Sequence, residues 1–414
     1  MDDLYPLRAL GAAEFVDWAR MTCNTYGQDW REGGLRNVRR TIELDRTLAA
    51  FDGDSVVGGA AIFSRSMTVP GAVLPVAGVT LVAVSPTHRR RGILTAMMRA
   101  QLAGLHESGE AIAALNAAEA TIYGRYGYGI ASRLVRFHGD KRAMGVRTDV
   151  DTGDGTIRLL DRDEARPLLE KVYDTARAGA VGWVERADRF WDARLYDEEH
   201  VRQGATALRF AVHREPDGAT TGYAIYRLKP EWDDSGDVSS VQVIELATET
   251  EQAYAALWRF LVDIDGHFRL DYEGAVDEPL PHLLVDAAAV RSTVVPNLWV
   301  RLVDVDRALA ARRYATALDV VLEVEDAFCP WNTGRYRLRA DDDSVSCERT
   351  SAGADLRLSS AELGAAYLGG TTLASLAAAG RVTELRPGAV AACTRAFRGE
   401  REPFHPSGAA FPAF

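Results

Sequence analysis

Val82-Ala83-Val84-Ser85-Pro86-Thr87-His88-Arg89-Arg90-Arg91-Gly92-Ile93-Leu94 decides how this chain folds. An apolar run from Val76 to Val84, broken by Gly78 and Thr80, stops at Pro86. Four basic residues and a glycine follow, and apolar residues then recur at 94, 98, 102 and 105. The first pattern predicts a buried strand and the second a helix. The basic turn therefore ends at a helix N-terminus. Backbone N–H groups there have no internal partner, and the helix dipole adds positive potential. Glycine lets the backbone approach a ligand closely, and the arginines add full charge. Together they make a cradle for a pyrophosphate.

On the N-terminal side, Glu14 to Leu48 has helical texture, with Phe15, Trp18 and Tyr26 as packing or pocket residues. Leu48–Phe51 and Ser55–Ser64 read as strands around Asp52-Gly53-Asp54. On the C-terminal side a helix runs to about Glu107, followed by an apolar strand at Ala111–Ala117. A short helix at Glu119–Tyr126 then leads into Gly127-Tyr128-Gly129 and a strand to His138. An acidic, glycine-containing linker lies near Asp149 to Gly155. A second unit, from Thr156, carries helices around 164–178, 187–196 and 251–264 and strands at 207–213, 222–228 and 238–247. A third begins near Leu298, with strands at 299–303, 319–325, 334–340 and 355–358 and helices at 305–311, from Ser360, and at 373–379. The expected division is 1–150, 151–297 and 298–414, in a mixed α+β class.

The 414 residues are 47% hydrophobic and 26% charged, the balance of a globular protein. No apolar run approaches the ~20 residues that span a bilayer. Met1-Asp2-Asp3 is acidic, unlike a signal peptide, so a cytoplasmic protein is expected. Cys23, Cys329, Cys347 and Cys393 are far apart and match no zinc or redox spacing, and the eight histidines are scattered, so no metal site is expected. A net charge of −11 disfavours nucleic acid and favours a cationic small molecule.

Arg89-Arg90-Arg91-Gly92-Ile93-Leu94 resembles the acetyl-CoA motif of the GNAT superfamily of N-acetyltransferases, with Leu94 where glycine or alanine is usual. Ile122-Tyr123-Gly124-Arg125-Tyr126-Gly127-Tyr128-Gly129 resembles the later motif in which a tyrosine precedes a Gly-aromatic pair by four residues. Val84 to Gly92, Pro-Leu-Pro-His-Leu-Leu (279–284), Tyr-Leu-Gly-Gly (367–370) and Ala-Phe-Pro-Ala-Phe (410–414) together resemble the enhanced-intracellular-survival family, over essentially the whole chain. That resemblance implies a catalytic GNAT domain, a second, degenerate one and a sterol-carrier-protein-like domain. It also implies a homo-hexamer that moves acetyl from acetyl-CoA to amines of aminoglycosides or similar polyamines, often at several positions. Lysine side chains of proteins are an alternative acceptor, and a lipid- or sterol-binding module is an alternative of another class.

Amine acetylation needs a base for the ammonium, stabilisation of the thioester oxygen and a proton for the thiolate. Tyr123 is the candidate acid, against a plain packing role. Its ordinary pKa of about 10 lies above a thiol's at about 8.5, so donation needs coupled collapse of the intermediate or a lowered value. Backbone groups of Val82, Ala83 and Val84 are expected along the pantetheine arm. Arg89, Arg90, Arg91, Gly92, Ile93 and Leu94, with adjoining Thr95, are expected at the pyrophosphate. Ala118 and Glu119 should lie along the cofactor. For the base, the resemblance implies the carboxylate of Phe414, against a frayed end. Phe404 to Phe414 holds three phenylalanines and no charge beyond His405, a composition that favours docking. The resemblance places Tyr26, Asp29 and Trp30 in the substrate wall, with Trp183 and Trp191 added from the second unit. Core packing is the competing role for each.

Overall fold

The computed structural model describes residues 5–29, 31–234 and 236–406. In chain order the first unit holds β1 (Leu7–Arg8), α1 (Phe15–Thr25), α2 (Glu32–Thr41), β2 (Thr47–Asp52), β3 (Ser55–Val69), β4 (Ala72–Val84), α3 (Ile93–Ser108), β5 (Ile112–Asn116), α4 (Ala120–Tyr123) and β6 (Gly129–Ile130). The second holds β7 (Arg133–Asp140), β8 (Thr156–Leu160), α5 (Arg162–Gly179), α6 (Asp188–Arg194), β9 (Arg209–Arg214), β10 (Thr220–Lys229), the small hairpin β11 (Trp232–Asp233) and β12 (Gly236–Asp237), β13 (Ser240–Thr248), α7 (Glu251–Val262), β14 (Arg269–Gly274) and β15 (Val290–Pro296). β16 (Leu298–Leu302) precedes the third unit, whose strands are β17 (Leu318–Glu325), β18 (Gly334–Ala340), β19 (Val345–Arg349), β20 (Leu356–Ser359) and β21 (Val382–Glu384).

Three main sheets result, ordered β1-β2-β3-β4-β5-β16-β6, β15-β7-β14-β13-β10-β9-β8 and β19-β18-β17-β20-β21. The chain does not change sheets where its texture changes, near 150 and 297. β7, expected in the first unit, lies between β14 and β15 of the second sheet, antiparallel to both. β16, expected to open the third unit, is inserted between β5 and β6 of the first sheet. The expected strand from Gly129 to His138 is therefore two strands. They part at Ala131-Ser132, where both N–H groups donate to the Leu298 carbonyl (2.9 and 3.2 Å). Ser132 Oγ donates to Asn297 Oδ1 at 2.9 Å, pinning the place where the two chain segments cross.

Burial follows the sequence periodicity. On α1, Phe15, Trp18, Ala19 and Thr22 are buried, the i, i+3, i+4, i+7 face of an amphipathic helix. Phe15, Trp18 and Ala19 share one buried cluster with Phe63, Leu298 and Val300 of the first sheet and with Leu322, Leu338, Leu363 and Phe397 of the third unit. First and third units thus have a common core, where each fully buried Leu or Phe contributes about 1.5–3 kcal/mol. The helix Ser360–Ala366 lies against β6 and β16 so closely that a Cβ on Gly129 would strike the Ala361 carbonyl, and one on Gly364 the Val300 carbonyl. The second sheet is covered on one face by α7, through Leu257 and Trp258, and on the other by α5 and α6, through Leu169, Tyr173 and Trp191.

Candidate active site

β4 and β5 are paired in parallel only at Ala77↔Ala113 and Gly78↔Ala114. Beyond that point they separate. Leu81 takes a left-handed φ of 52°, and the β3–β4 register slips between Gly59 and Ala61. Such a bulge bends a strand and frees part of its edge. The gap is a cleft of about 610 Å³ lined by Val82, Ala83, Val84, Arg89, Arg90, Gly92, Ile93, Leu94, Thr95, Ala118, Glu119, Tyr123 and Tyr26. At its far end α3 begins on Gly92, whose φ is +86° and which supplies no side-chain cap. The first-turn amides of Ile93, Leu94 and Thr95 are thus left for a ligand. Nothing lies within 4 Å of where a Cβ on Gly92 would sit. Space, open amides and the exposed Arg89 and Arg90 fit a pyrophosphate group. The Val82–Val84 edge that lines the cleft fits an amide-bearing arm.

One expected cofactor residue, Arg91, needs correction in role. Arg91 does not line the cleft; its Nη1 donates to the Tyr5 hydroxyl at 2.8 Å. The Ile93 side chain is buried in a core cluster with Ala50, Val57 and Met97, leaving its backbone for the ligand.

Tyr123 closes α4 and is 8% exposed, its ring edge-on to Tyr128 at 6.0 Å. Burial, reinforced by Tyr26, Tyr126 and Glu119, raises its pKa well above the ordinary 10. The phenol therefore carries its proton at neutral pH. Tyr26 belongs to this cleft too. Its hydroxyl donates to the Val82 carbonyl at 2.9 Å, on the edge expected for the pantetheine arm.

A second cavity, about 460 Å³, lies on the other side of the bulge between the first two units. Leu81 lines it while Val82 lines the cofactor cleft, so the two spaces meet across one peptide of β4. Asp29 is in its wall, with Trp18 and Cys23 from α1 and with Arg194, Tyr196, His200 and Arg227 from the second unit. Those second-unit residues were not expected from sequence, because their approach depends on long-range packing. The arginines are mostly neutralised from behind. Arg194 pairs with Glu245 at 2.8 Å and Arg227 with Asp197 at 2.6 Å. Glu245 also takes both Arg186 Nη groups (2.8 and 2.6 Å) and the Tyr223 hydroxyl (2.6 Å). Burial opposes its charge, but Arg186, Arg194 and Tyr223 hold its pKa near 2.

Neither expected tryptophan joins that cavity. Trp191 is 2% exposed and packs edge-on to Tyr173 at 5.5 Å, because α6 turns Phe190 and Trp191 inward. Trp183 stacks on Tyr173 at 5.0 Å and faces a different cleft. Trp30 and Phe414 lie outside the described residues. The segment leading toward Phe414 is anchored. Phe404 N–H donates to the Val181 carbonyl at 3.0 Å, and His405 N–H to Asn297 Oδ1 at 2.9 Å. His405 Nδ1 meets the Gly182 carbonyl at 2.9 Å, and burial pushes its pKa down to about 4. Among the described residues no group of three or more His, Cys, Asp or Glu is placed to hold a metal, and no helix is long and apolar enough to cross a membrane.

Comparison with known proteins agrees with this fold. Residues 6–131 and 182–302 each match an acetyltransferase (GNAT) domain family, and 305–406 match a sterol carrier protein domain. An uncharacterized N-acetyltransferase of Streptomyces avermitilis is 44% identical over 405 residues, 97% of this chain and 99% of that one. N-acetyltransferase Eis of Mycobacterium tuberculosis is 37% identical over 399 residues, 92% of this chain and 91% of its own. The crystal structure of Eis1 from Mycobacterium abscessus superposes with a TM-score of 0.84 at 34% identity, covering 97% of this chain and all of that one. Fold and site thus define a GNAT-superfamily N-acetyltransferase with an acyl-CoA cosubstrate, built from two GNAT domains and a sterol-carrier-like domain. The chain belongs to the enhanced-intracellular-survival (Eis) family.

Proposed function

We propose that the enzyme takes acetyl from acetyl-CoA and places it on primary amines of aminoglycosides or similar polyamines, at more than one position. The observation that carries this reading is the contact of the two cavities across Leu81–Val82, with Asp29 in the acceptor wall. A space of about 460 Å³ suits a small molecule and gives it room to present different amines.

In the reaction, Val82–Val84 hold the acetyl donor by their backbone edge and polarise the thioester carbonyl. The amine reaches that carbonyl from the Leu81 side. As the C–N bond forms and the C–S bond breaks, Tyr123 passes its proton to the departing sulfur. The phenol is the weaker acid, so transfer is concerted with collapse rather than preceding it. The carboxylate of Phe414 is the proposed base, supported by family resemblance and by the anchored Phe404 and His405. Family resemblance likewise supports a homo-hexamer, which light scattering of the purified protein tests.

The test of function is a panel of aminoglycosides, linear polyamines and lysine-containing peptides with acetyl-CoA, reading thiol release and product mass together. Multiply acetylated aminoglycoside is the expected product. Turnover confined to peptides would replace this reading with lysine acetylation. Proteins tagged at the N-terminus, tagged at the C-terminus and shortened by Phe414 are compared in the same assay. Equal rates in all three would remove Phe414 from the mechanism.

A further inference from the structure

The second GNAT domain repeats the layout of the first around a cleft of its own. β13 and β14 pair in parallel from Ser240↔Arg269 to Val243↔Tyr272 and then part, as β4 and β5 do. β13 hands over to α7 as β4 hands over to α3. The gap is a cavity of about 600 Å³, lined by Leu246–Thr248, the turn Glu249-Thr250-Glu251, Tyr254, Tyr272, Glu278 and Trp183.

The chemistry of the turn is reversed. Where the first domain has arginines and an uncapped helix start, the second has Glu249 and Glu251, and Thr250 Oγ1 accepts the Ala253 N–H at 3.1 Å. The turn thus presents carboxylates where the first domain presents arginines, and one of its first-turn amides is already taken. Deeper in, Glu278 accepts the Tyr254 hydroxyl at 2.5 Å, and burial pushes its pKa up to about 7. Arg401, also in the wall, is committed to Asp277 at 2.6 Å. A half-buried carboxyl, an acidic rim and the aromatic faces of Trp183 and Tyr254 complement a cation with an organic body.

We propose that this cleft binds an organic ammonium ion, its head at Glu278 and its body along Trp183 and Tyr254. The site is separate from the acetyl-transfer centre and does not depend on the acceptor proposed there. The test is equilibrium dialysis of the full chain with spermidine, at physiological and at high salt, counting molecules bound per chain. Glu278→Gln removes the carboxylate and keeps the shape of the side chain. Glu249→Lys inverts the exposed rim without touching the core, so it serves if the first variant fails to fold. Each is expected to lose one site, or weaken it at least tenfold, with coenzyme A binding and thiol release unchanged. If spermidine is also an acceptor, the wild type binds two and the variants one; if it is not, one and none. Variants that keep the wild-type number overturn the proposal, as does spermidine binding that disappears altogether at high salt.

Discussion

At the Tyr123 hydroxyl, burial makes ionisation costly, so the proton stays in place until a base appears beside it. Tyr123→Phe keeps the ring against Tyr128 and removes that proton. A fall in kcat of roughly 10²–10⁴-fold is expected, with coenzyme A affinity kept, in a thiol-release assay at saturating donor. Gly92→Glu does the opposite. It puts bulk and negative charge at the anion cradle and strains a backbone held at φ +86°, so coenzyme A titration should show no binding. His405 gives a pH signature. Its folded value of about 4 lies below the ordinary 6.5, so the unfolded chain takes up the proton more readily. Its contribution is complete above about pH 6.5 and is lost as pH falls toward 4, a gap worth roughly 3 kcal/mol. Urea midpoints of wild type and His405→Asn should therefore converge as pH is lowered from about 7.5 to 5. Parallel curves would show that His405 titrates elsewhere. Tyr123 and Gly92 were legible because spacing within a dozen residues marks them. Trp191 was not, since a tryptophan on a seven-residue helix reads alike whether it meets a ligand or Tyr173.

Elements carry the next set of consequences. The β4–turn–α3 unit could be read directly, because its apolar run, proline and helical repeat are all local. The acceptor wall could not. Arg194 on α6 reaches it only because Glu245 on β13 holds the guanidinium from behind, together with Arg186. Glu245→Ala strands two arginines whose side chains are 5% and 6% exposed. Breaking a buried pair in this way costs about 3–5 kcal/mol. A lower denaturant midpoint and a raised KM for the amine are both expected, while affinity for coenzyme A should stay as in the wild type. A loss of stability without a change in KM would confine the network to structure.

Over the whole molecule, the first sheet is incomplete without β16 and the second without β7, and the first and third domains share a core. One calorimetric unfolding transition is expected for the full chain. A fragment of residues 1–150 should fail to fold alone, because β5 would lack its β16 partner. Two well-separated transitions, or a soluble folded fragment, would contradict this. The exchange was invisible in sequence. β6 and β7 read as one continuous strand, and nothing local marks Ser132 as the point where it meets Asn297.

The same crossing sets a schedule for the ribosome. The apolar edge of β5 is synthesised roughly 190 residues before the end of β16. At about 5–20 residues per second that is a wait on the order of 10–40 s. Throughout it, Ile112-Ala113-Ala114-Leu115 is an unpaired strand edge of the kind that templates aggregation. Yield from cells should therefore depend on chaperone supply and on slow, cool expression more than the stability of the finished protein would suggest.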